Sequence, residues 1–409
     1  MNRHVAMISF HECPLAAREG KEQGGINVYT FELGKALTLL GWQVDMFTRK
    51  QDTINPDIVE ISKHVRIIHL PAGPTSPLHK KELFLHVEEF SKNLLKYAAR
   101  TNTSYSVVHA HYYYSGMVAK HCITRLMPVP QFIMTYHTLG IMKQLVSNNA
   151  TANDILHRIQ AEQDISRVAD AIITASITGK QYLTSFYNVP KNKINVIPPG
   201  VDTTLFRPMN KKNARYRIGA DRMKRLILSV GRIDPVKGFD VLLVAVKILL
   251  SSHPKLNGKL CLYIVGGDVG QDTISWNKEL ERLNALRTLL NLTATVQFIL
   301  PQPQERLPDY YNAADVVVMP SHYESFGMVA LEALSCSTPV IATDVTGISP
   351  MLKSLPHGHI VSANNPLLLA KQIKHVLFSK HRKSDIQYAV TQYDWINIAK
   401  RVATIYAQS

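Results

Sequence analysis

The order of short apolar runs along this chain constrains its fold more than any single motif. Runs at 5–10, 44–48, 65–70, 107–110, 132–135, 171–174 and 194–197 alternate with longer helical stretches. Strand, loop and helix repeated in this way form βαβ units and a parallel sheet. Pro198-Pro199-Gly200 interrupts the series, and a second one runs through 226–230, 260–265, 296–299, 316–319 and 340–343. A chain of 409 residues is too long for one ordinary core and suits two domains of about 200 residues each. The expectation is an α/β protein with two parallel-sheet domains, 1–205 and 206–385, and a C-terminal segment, 386–409. In that segment, residues 395–407 place apolar side chains at helical spacing, so an amphipathic helix should pack on something already folded.

Composition narrows the class. Hydrophobic residues make up 46% and charged residues 19%, enough to fill real cores and too little charge for a disordered polymer. No run approaches the roughly 18 apolar residues of a membrane span. Residues 1–10 read as a first strand and are too short for a signal-peptide core. Cys13, Cys122, Cys261 and Cys336 are scattered, without metal or disulfide spacing, so free thiols and a cytoplasmic location are expected. The net charge of +15 favours anionic partners. Its densest run is Lys211, Lys212, Arg215, Arg217, Arg222, Lys224 and Arg225. This reads first as a solvated face, and second as a peripheral contact with an anionic membrane. No nucleic-acid module or aromatic interleaving accompanies it, so nucleic acid is not an expected partner.

In parallel sheets ligands gather at the carboxyl ends of strands, and three loops fall there. Gly24-Gly25-Ile26-Asn27 opens a helix running to about Leu40. Paired glycines let a backbone approach an anion at a helix start. The pair is not a GxGxxG fingerprint, and a ligand-free helix entry explains it equally well. Gly231-Arg232-Ile233-Asp234-Pro235-Val236-Lys237-Gly238 lies between a strand and a helix. Arg232 and Lys237 bracket a tight turn, so both cations can address one diphosphate. In 321–333, a helix start near Gly327 would offer free N–H groups to a phosphate. Glu324 precedes that helix and Glu332 lies within it. A carboxylate suits paired sugar hydroxyls, and a charge beside Leu331, Ala333 and Leu334 needs a partner or a purpose.

These residues resemble the motifs of retaining glycosyltransferase family 4. Glu324 and Glu332 match its E-x7-E pattern. Arg232 and Lys237 resemble its G-R-x5-K motif, with four residues between them here. Val196-Ile197-Pro198-Pro199-Gly200-Val201-Asp202 resembles its interdomain signature. The resemblance implies a GT-B fold, in which two Rossmann-like domains face across a cleft and the C-terminal helix returns to the N-terminal domain. It assigns acceptor binding to 1–205 and nucleotide-sugar binding to 206–385. It implies that Glu324, Phe326 and Gly327 hold the donor sugar. Met328, Val329, Arg232, Lys237 and the Gly24-Gly25 loop would hold the diphosphate, and Glu332 the ribose. The catalytic group would comprise Arg232, Lys237, Glu324 and His137.

The N-terminal half, through His109-Ala110-His111-Tyr112 and Thr135-Tyr136-His137-Thr138, is similar to two subgroups. One transfers N-acetylglucosamine to inositol phosphate; the other contains sucrose-phosphate synthases. The resemblance carries a phosphate grip onto Lys80, Tyr112, Thr138 and Arg158, and a sugar-facing role onto His137. Taken alone, His109, His111 and His137 would be structural histidines at strand ends. The implied donor is UDP-glucose or UDP-N-acetylglucosamine, and the acceptor a small phosphorylated sugar or polyol. No tightly bound metal or cofactor is expected, because no Asp-x-Asp triplet occurs; a loosely held Mg²⁺ on the nucleotide is compatible. The chain departs from the family in Thr346-Gly347-Ile348-Ser349-Pro350-Met351, which lacks a family glutamate, and in the turn Pro356-His357-Gly358-His359. Two alternatives remain open: a membrane-surface transferase with a lipid-linked acceptor, and a sugar-nucleotide epimerase of the same fold.

Overall fold

The computed structural model describes residues 3–17, 25–144, 152–267, 273–345, 347–379 and 389–408. The chain divides into two compact units: one runs to Gly200 and resumes at Trp395, the other spans Val201–Asp394. Residues 201–205 and 389–394 therefore belong with the second unit, outside the 205/206 and 385/386 limits suggested by the sequence. The reason is local bonding. Val201 N–H donates to Tyr393 O at 2.8 Å, and Thr203 donates its hydroxyl to Asp394.

The first unit holds strands β1 (His4–Ile8), β2 (Gln43–Arg49), β3 (Ile58–Ser62), β4 (Val65–Leu70), β5 (Val107–His111), β6 (Gln131–Tyr136), β7 (Ala171–Thr174) and β8 (Ile194–Val196). They form one sheet in the order β3-β4-β2-β1-β5-β6-β7-β8, parallel except for β3. Strands β1 and β5 are buried throughout, as central parallel strands covered on both faces should be. β3 was not evident in the sequence because it lies on the sheet edge and keeps Glu60 and Ser62 among its residues.

The C-terminal helix, Trp395–Tyr406, buries Trp395, Ile398, Ala399, Val402, Ile405 and Tyr406, spaced to fall on one face. That face joins the core cluster containing Tyr29, Phe31, Leu33 and Leu37 of the helix Gly25–Thr38. Gly200 permits the closure, since a Cβ there would collide with the Trp395 ring. Elsewhere in this unit, fully buried Asp45 accepts from Arg66 Nε at 2.6 Å and Tyr105 Oη at 2.7 Å, and lies 3.2 Å from His4 Nε2.

The second unit adds β9 (Arg225–Val230), β10 (Leu260–Val265), β11 (Val296–Ile299), β12 (Val316–Met319), β13 (Val340–Thr343) and β14 (Gly358–Val361). Their order is β11-β10-β9-β12-β13-β14, all parallel. β14 was hidden in the sequence by the turn before it: His357 has φ +61, and the strand begins at the next residue. The basic run is largely a solvated face, with Lys212, Arg217, Arg222 and Arg225 exposed and only Arg215 buried. Lys211 and Arg215 reach the two oxygens of Asp315 at 2.7 and 2.8 Å, and Arg217 reaches Asp309 at 2.8 Å.

Candidate active site

In the second unit the strand order reverses between β9 and β12, the switch point where open α/β sheets leave a crevice. The loops after those two strands carry the motif residues. After β9, Asp234 accepts the Val236 N–H at 2.9 Å and caps a single turn, Pro235–Lys237. Gly238 then turns the chain at φ +63, and a Cβ there would collide with Pro320 O. Only glycine allows the two loops to lie this close. His322 N–H donates to Val236 O at 2.8 Å and ties them together. The outcome is that Lys237 Nζ donates to Glu324 Oε2 at 2.8 Å, across 87 residues of sequence. Arg232 is exposed and has no hydrogen-bond or ion-pair partner among the described residues.

Beyond Glu324 the chain buries Phe326, turns at Gly327 with φ +90, and enters the helix Met328–Ser335. Met328 and Val329 lie in the first turn, where amides lack intrahelical acceptors. Gly347 packs on the same loop; a Cβ there would collide with the carbonyl oxygens of Glu324 and Ser325. Glu332 is buried inside the helix, and Tyr311 Oη donates to its Oε2 at 2.6 Å. Burial raises the Glu332 carboxyl to about 7, with the Tyr311 hydrogen bond opposing part of that shift. Tyr311, from the helix Leu307–Ala313, was not anticipated from sequence, where nothing local connects it to Glu332.

The first unit has its own reversal, between β1 and β5. Tyr112 follows β5 at once and opens the helix Tyr112–Cys122 at φ +72, a conformation uncommon for a residue with a side chain. Its ring stacks on His11 at 4.4 Å, and the Arg158 guanidinium lies 4.9 Å from it and 5.0 Å from Tyr113. Arg158 Nη2 donates to Thr138 O at 2.6 Å and to Thr138 Oγ1 at 3.0 Å. Arg158 Nε donates to Glu162 Oε1 at 2.8 Å. Tyr112, Thr138 and Arg158 are thus brought together. Glu162 supports them: fully buried, it also accepts from Tyr187 Oη at 2.6 Å and Gly140 N at 2.9 Å. An Arg–Glu pair four apart on a helix was the sequence signal for it, but such pairs are usually solvated.

Lys80 begins a short helix, Lys80–Leu83; its side chain lies outside the described residues, as does Gly24. The neighbouring Lys81 pairs with Asp154 Oδ2 at 2.6 Å, which places this helix beside the start of the one carrying Arg158. Gly25 is exposed at the first position of its helix. His137 follows β6, and its Nε2 lies 3.2 Å from His111 Nδ1. Burial lowers both His109 and His137 to about 3, so these rings are neutral near pH 7. No group of three or more His, Cys, Asp or Glu placed to hold a metal occurs among the described residues. No described helix is long and apolar enough to cross a membrane.

Comparison with known proteins covers nearly the whole chain. Residues 23–205 match the model described as Glycosyltransferase Family 4, and residues 210–393 that described as Glycosyl transferases group 1. The D-inositol 3-phosphate glycosyltransferase of Acidothermus cellulolyticus is 34% identical over 408 residues, spanning 99% of this chain and 90% of that protein. The D-inositol 3-phosphate glycosyltransferase of Thermobispora bispora is 33% identical, over 99% of this chain and 94% of that one. Among solved structures, sucrose-phosphate synthase from Thermosynechococcus elongatus superposes with a TM-score of 0.87 at 33% identity, covering 99% of this chain and 98% of that one. Anabaena HepE in complex with UDP and glucose shares the fold at a TM-score of 0.74 and 16% identity, covering 99% of each chain.

Proposed function

The chain belongs to the family 4 glycosyltransferases of GT-B fold, and from that premise we propose that it moves a hexose or N-acetylhexosamine from a UDP-sugar to a hydroxyl of a small phosphorylated sugar or polyol, with retention at the anomeric carbon. The observation that carries this reading is the meeting of Lys237 and Glu324 at the switch point of the second sheet. It joins a cation for the donor diphosphate to a carboxylate for the donor sugar. An ammonium has three donors, so Lys237 can keep Glu324 and still bind a phosphate oxygen. Glu324 retains a second oxygen for a sugar hydroxyl. Arg232 supplies a guanidinium with no competing partner among the described residues. Met328 and Val329 offer amides to the phosphates, Phe326 and Gly327 line the sugar, and Glu332 takes the ribose. In the first unit, Gly25, with Gly24, serves the donor phosphates.

In this reading the acceptor oxygen bonds to the anomeric carbon while the glycosyl–phosphate bond breaks. A phosphate oxygen of the leaving diphosphate takes the acceptor proton, and Arg232 and Lys237 stabilise the departing charge. His137, neutral near pH 7, contacts the sugar and does not act as a base. The acceptor phosphate is held by Arg158, Thr138, Tyr112 and Lys80. Two kinds of relative support a phosphorylated acceptor: one is named for D-inositol 3-phosphate, the other for sucrose phosphate. The UDP-bound Anabaena neighbour supports the uridine donor by its fold alone. The reaction needs no tightly bound metal, and Mg²⁺ would act only on the nucleotide. We place the enzyme in the cytoplasm, where nucleotide sugars are made.

The test is a donor and acceptor panel. UDP-glucose and UDP-N-acetylglucosamine are paired with inositol 3-phosphate, fructose 6-phosphate and their unphosphorylated forms. NMR then reads the anomeric configuration of any product. Product only with phosphorylated acceptors, in the donor's configuration, is expected. Preference for unphosphorylated acceptors would remove the phosphate grip, and inverted product would remove retention.

A further inference from the structure

Behind His137 lies a line of buried side chains that the proposed reaction does not use. His111 Nδ1 is 3.2 Å from His137 Nε2. The His109 ring lies against His111, with centroids 4.2 Å apart. His109 is itself held at both nitrogens: Nδ1 meets Tyr406 Oη at 2.6 Å, and Nε2 meets Thr135 Oγ1 at 2.7 Å. Tyr406 comes from the C-terminal helix, whose packing on this unit fixes where its hydroxyl sits. All three imidazoles are neutral near pH 7, because burial opposes their charged forms.

Neutrality restricts the protons. A neutral imidazole carries one N–H, so the contact between His111 and His137 requires one donor and one bare nitrogen. His111 Nε2 is buried and has no partner among the described residues. If His137 donated, His111 would carry its own proton on Nε2, leaving a buried N–H unsatisfied. If His111 donates through Nδ1–H, only a lone pair is left unpartnered. Orphaned buried donors are the rarer of the two. His137 Nε2 is then the acceptor, and its proton must sit on Nδ1. That second nitrogen has no partner among the described residues, and His137 remains partly accessible.

We propose that His111 is a positioning residue: it donates to His137 Nε2 and so holds His137 in the tautomer that presents Nδ1–H to the ligand. This rests on the donor-site reading of His137 and specifies it. The residue offers a hydrogen-bond donor, matched to a sugar hydroxyl oxygen. Tyr406 and Thr135 act further back, through His109, by fixing the ring against which His111 rests.

The experiment is ¹⁵N NMR of ring nitrogens in the ligand-free full chain, with the His137 signals assigned by their loss in His137→Gln. Pyrrole-type Nδ1 and pyridine-type Nε2 are expected for His137. His111→Asn can keep a donor near the Nδ1 position and should retain that pattern; His111→Leu should give mixed tautomers. His111→Leu should also raise the donor KM roughly fivefold, the worth of one net hydrogen bond, with a smaller change in kcat. Unchanged signals from the other histidines would show that each variant is folded. His137 protonated on Nε2 in the unmodified protein would overturn the proposal, as would an unchanged tautomer in His111→Leu. If the tautomer is as expected but KM does not move, the tautomer assignment stands and the placing of a donor sugar at His137 fails.

Discussion

Glu332 offers a direct test of where the nucleotide sits. Its carboxyl is raised from 4.5 to about 7 by burial, so ionising it in the empty protein costs about 3 kcal/mol. A ribose presents two hydroxyl donors, and each hydrogen bond to a charged group is worth about 1.5–3 kcal/mol. Two such bonds offset the burial term and return the group to the ordinary carboxylate range. Nucleotide-sugar binding at pH 7 should therefore release about half a proton, and affinity should rise about tenfold between pH 6 and pH 8. A pyrophosphate diester exchanges no proton in this interval, and His137 is already neutral throughout it. Titration calorimetry in buffers of different ionisation enthalpy reads the release as a slope, and Glu332→Gln should abolish both slope and pH dependence. The same substitution has a stability signature. A carboxyl raised on folding stabilises below pH 4.5 and loses that contribution as pH rises through about 7. Glu332→Gln should consequently unfold at higher temperature than the parent protein at pH 8. Donor affinity that is flat from pH 6 to 8 and no buffer-dependent enthalpy would refute the ribose assignment.

Lys237→Ala should lower kcat by two or more orders of magnitude, on the scale of about 3–4 kcal/mol for a lost charge-stabilising group; near-normal turnover would sink the diphosphate assignment. Glu162→Ala leaves the buried Arg158 guanidinium without its carboxylate and should cost about 3–5 kcal/mol of stability, measurable by denaturant unfolding, while Glu162→Gln should retain part of it and raise the acceptor KM more than the donor KM. Burial alone would raise Asp45, but hydrogen bonds from His4, Arg66 and Tyr105 hold it down at about 2; its contribution is present above pH 4 and lost as pH falls through 2, so the stability gap to Asp45→Asn should shrink by about 2 kcal/mol over that range. Gly238→Ala should destabilise the second unit by about 1–3 kcal/mol and weaken donor binding, because φ +63 and Pro320 O leave no room for a methyl group; an unchanged melting temperature would contradict the close approach of the two loops.

The alternating strands and helices were legible because parallel strands buried on both faces are written as continuous apolar runs, as in β1 and β5. β3 and β14 escaped because edge position and a preceding turn dilute that signal. The same distinction holds at the site. Lys237 and Glu324 stand in loops whose glycines and prolines announce special geometry. The basic run is the open face its charge density implied, with four of its seven residues exposed, but its anchor was not legible: Asp315 takes both Lys211 and Arg215 from about a hundred positions away.

What sequence could not distinguish is the task of each buried acid. Glu162 and Glu332 are both helical, both buried, and both accept a tyrosine hydroxyl at 2.6 Å. Glu162 also meets a guanidinium and a backbone amide, so its two oxygens are committed to holding Arg158 and Gly140. Glu332 has no cation paired with it among the described residues, and Tyr311 is bonded to one of its oxygens. A buried carboxylate supplied with its own cation is part of the scaffold, and its removal is felt in stability. One left without a cation gains most when a ligand brings hydroxyl donors to it, and its removal is felt in binding. The two substitutions should therefore diverge. Glu162→Ala should lower stability before it alters donor affinity, while Glu332→Gln should weaken donor binding in a protein that is no less stable at pH 8.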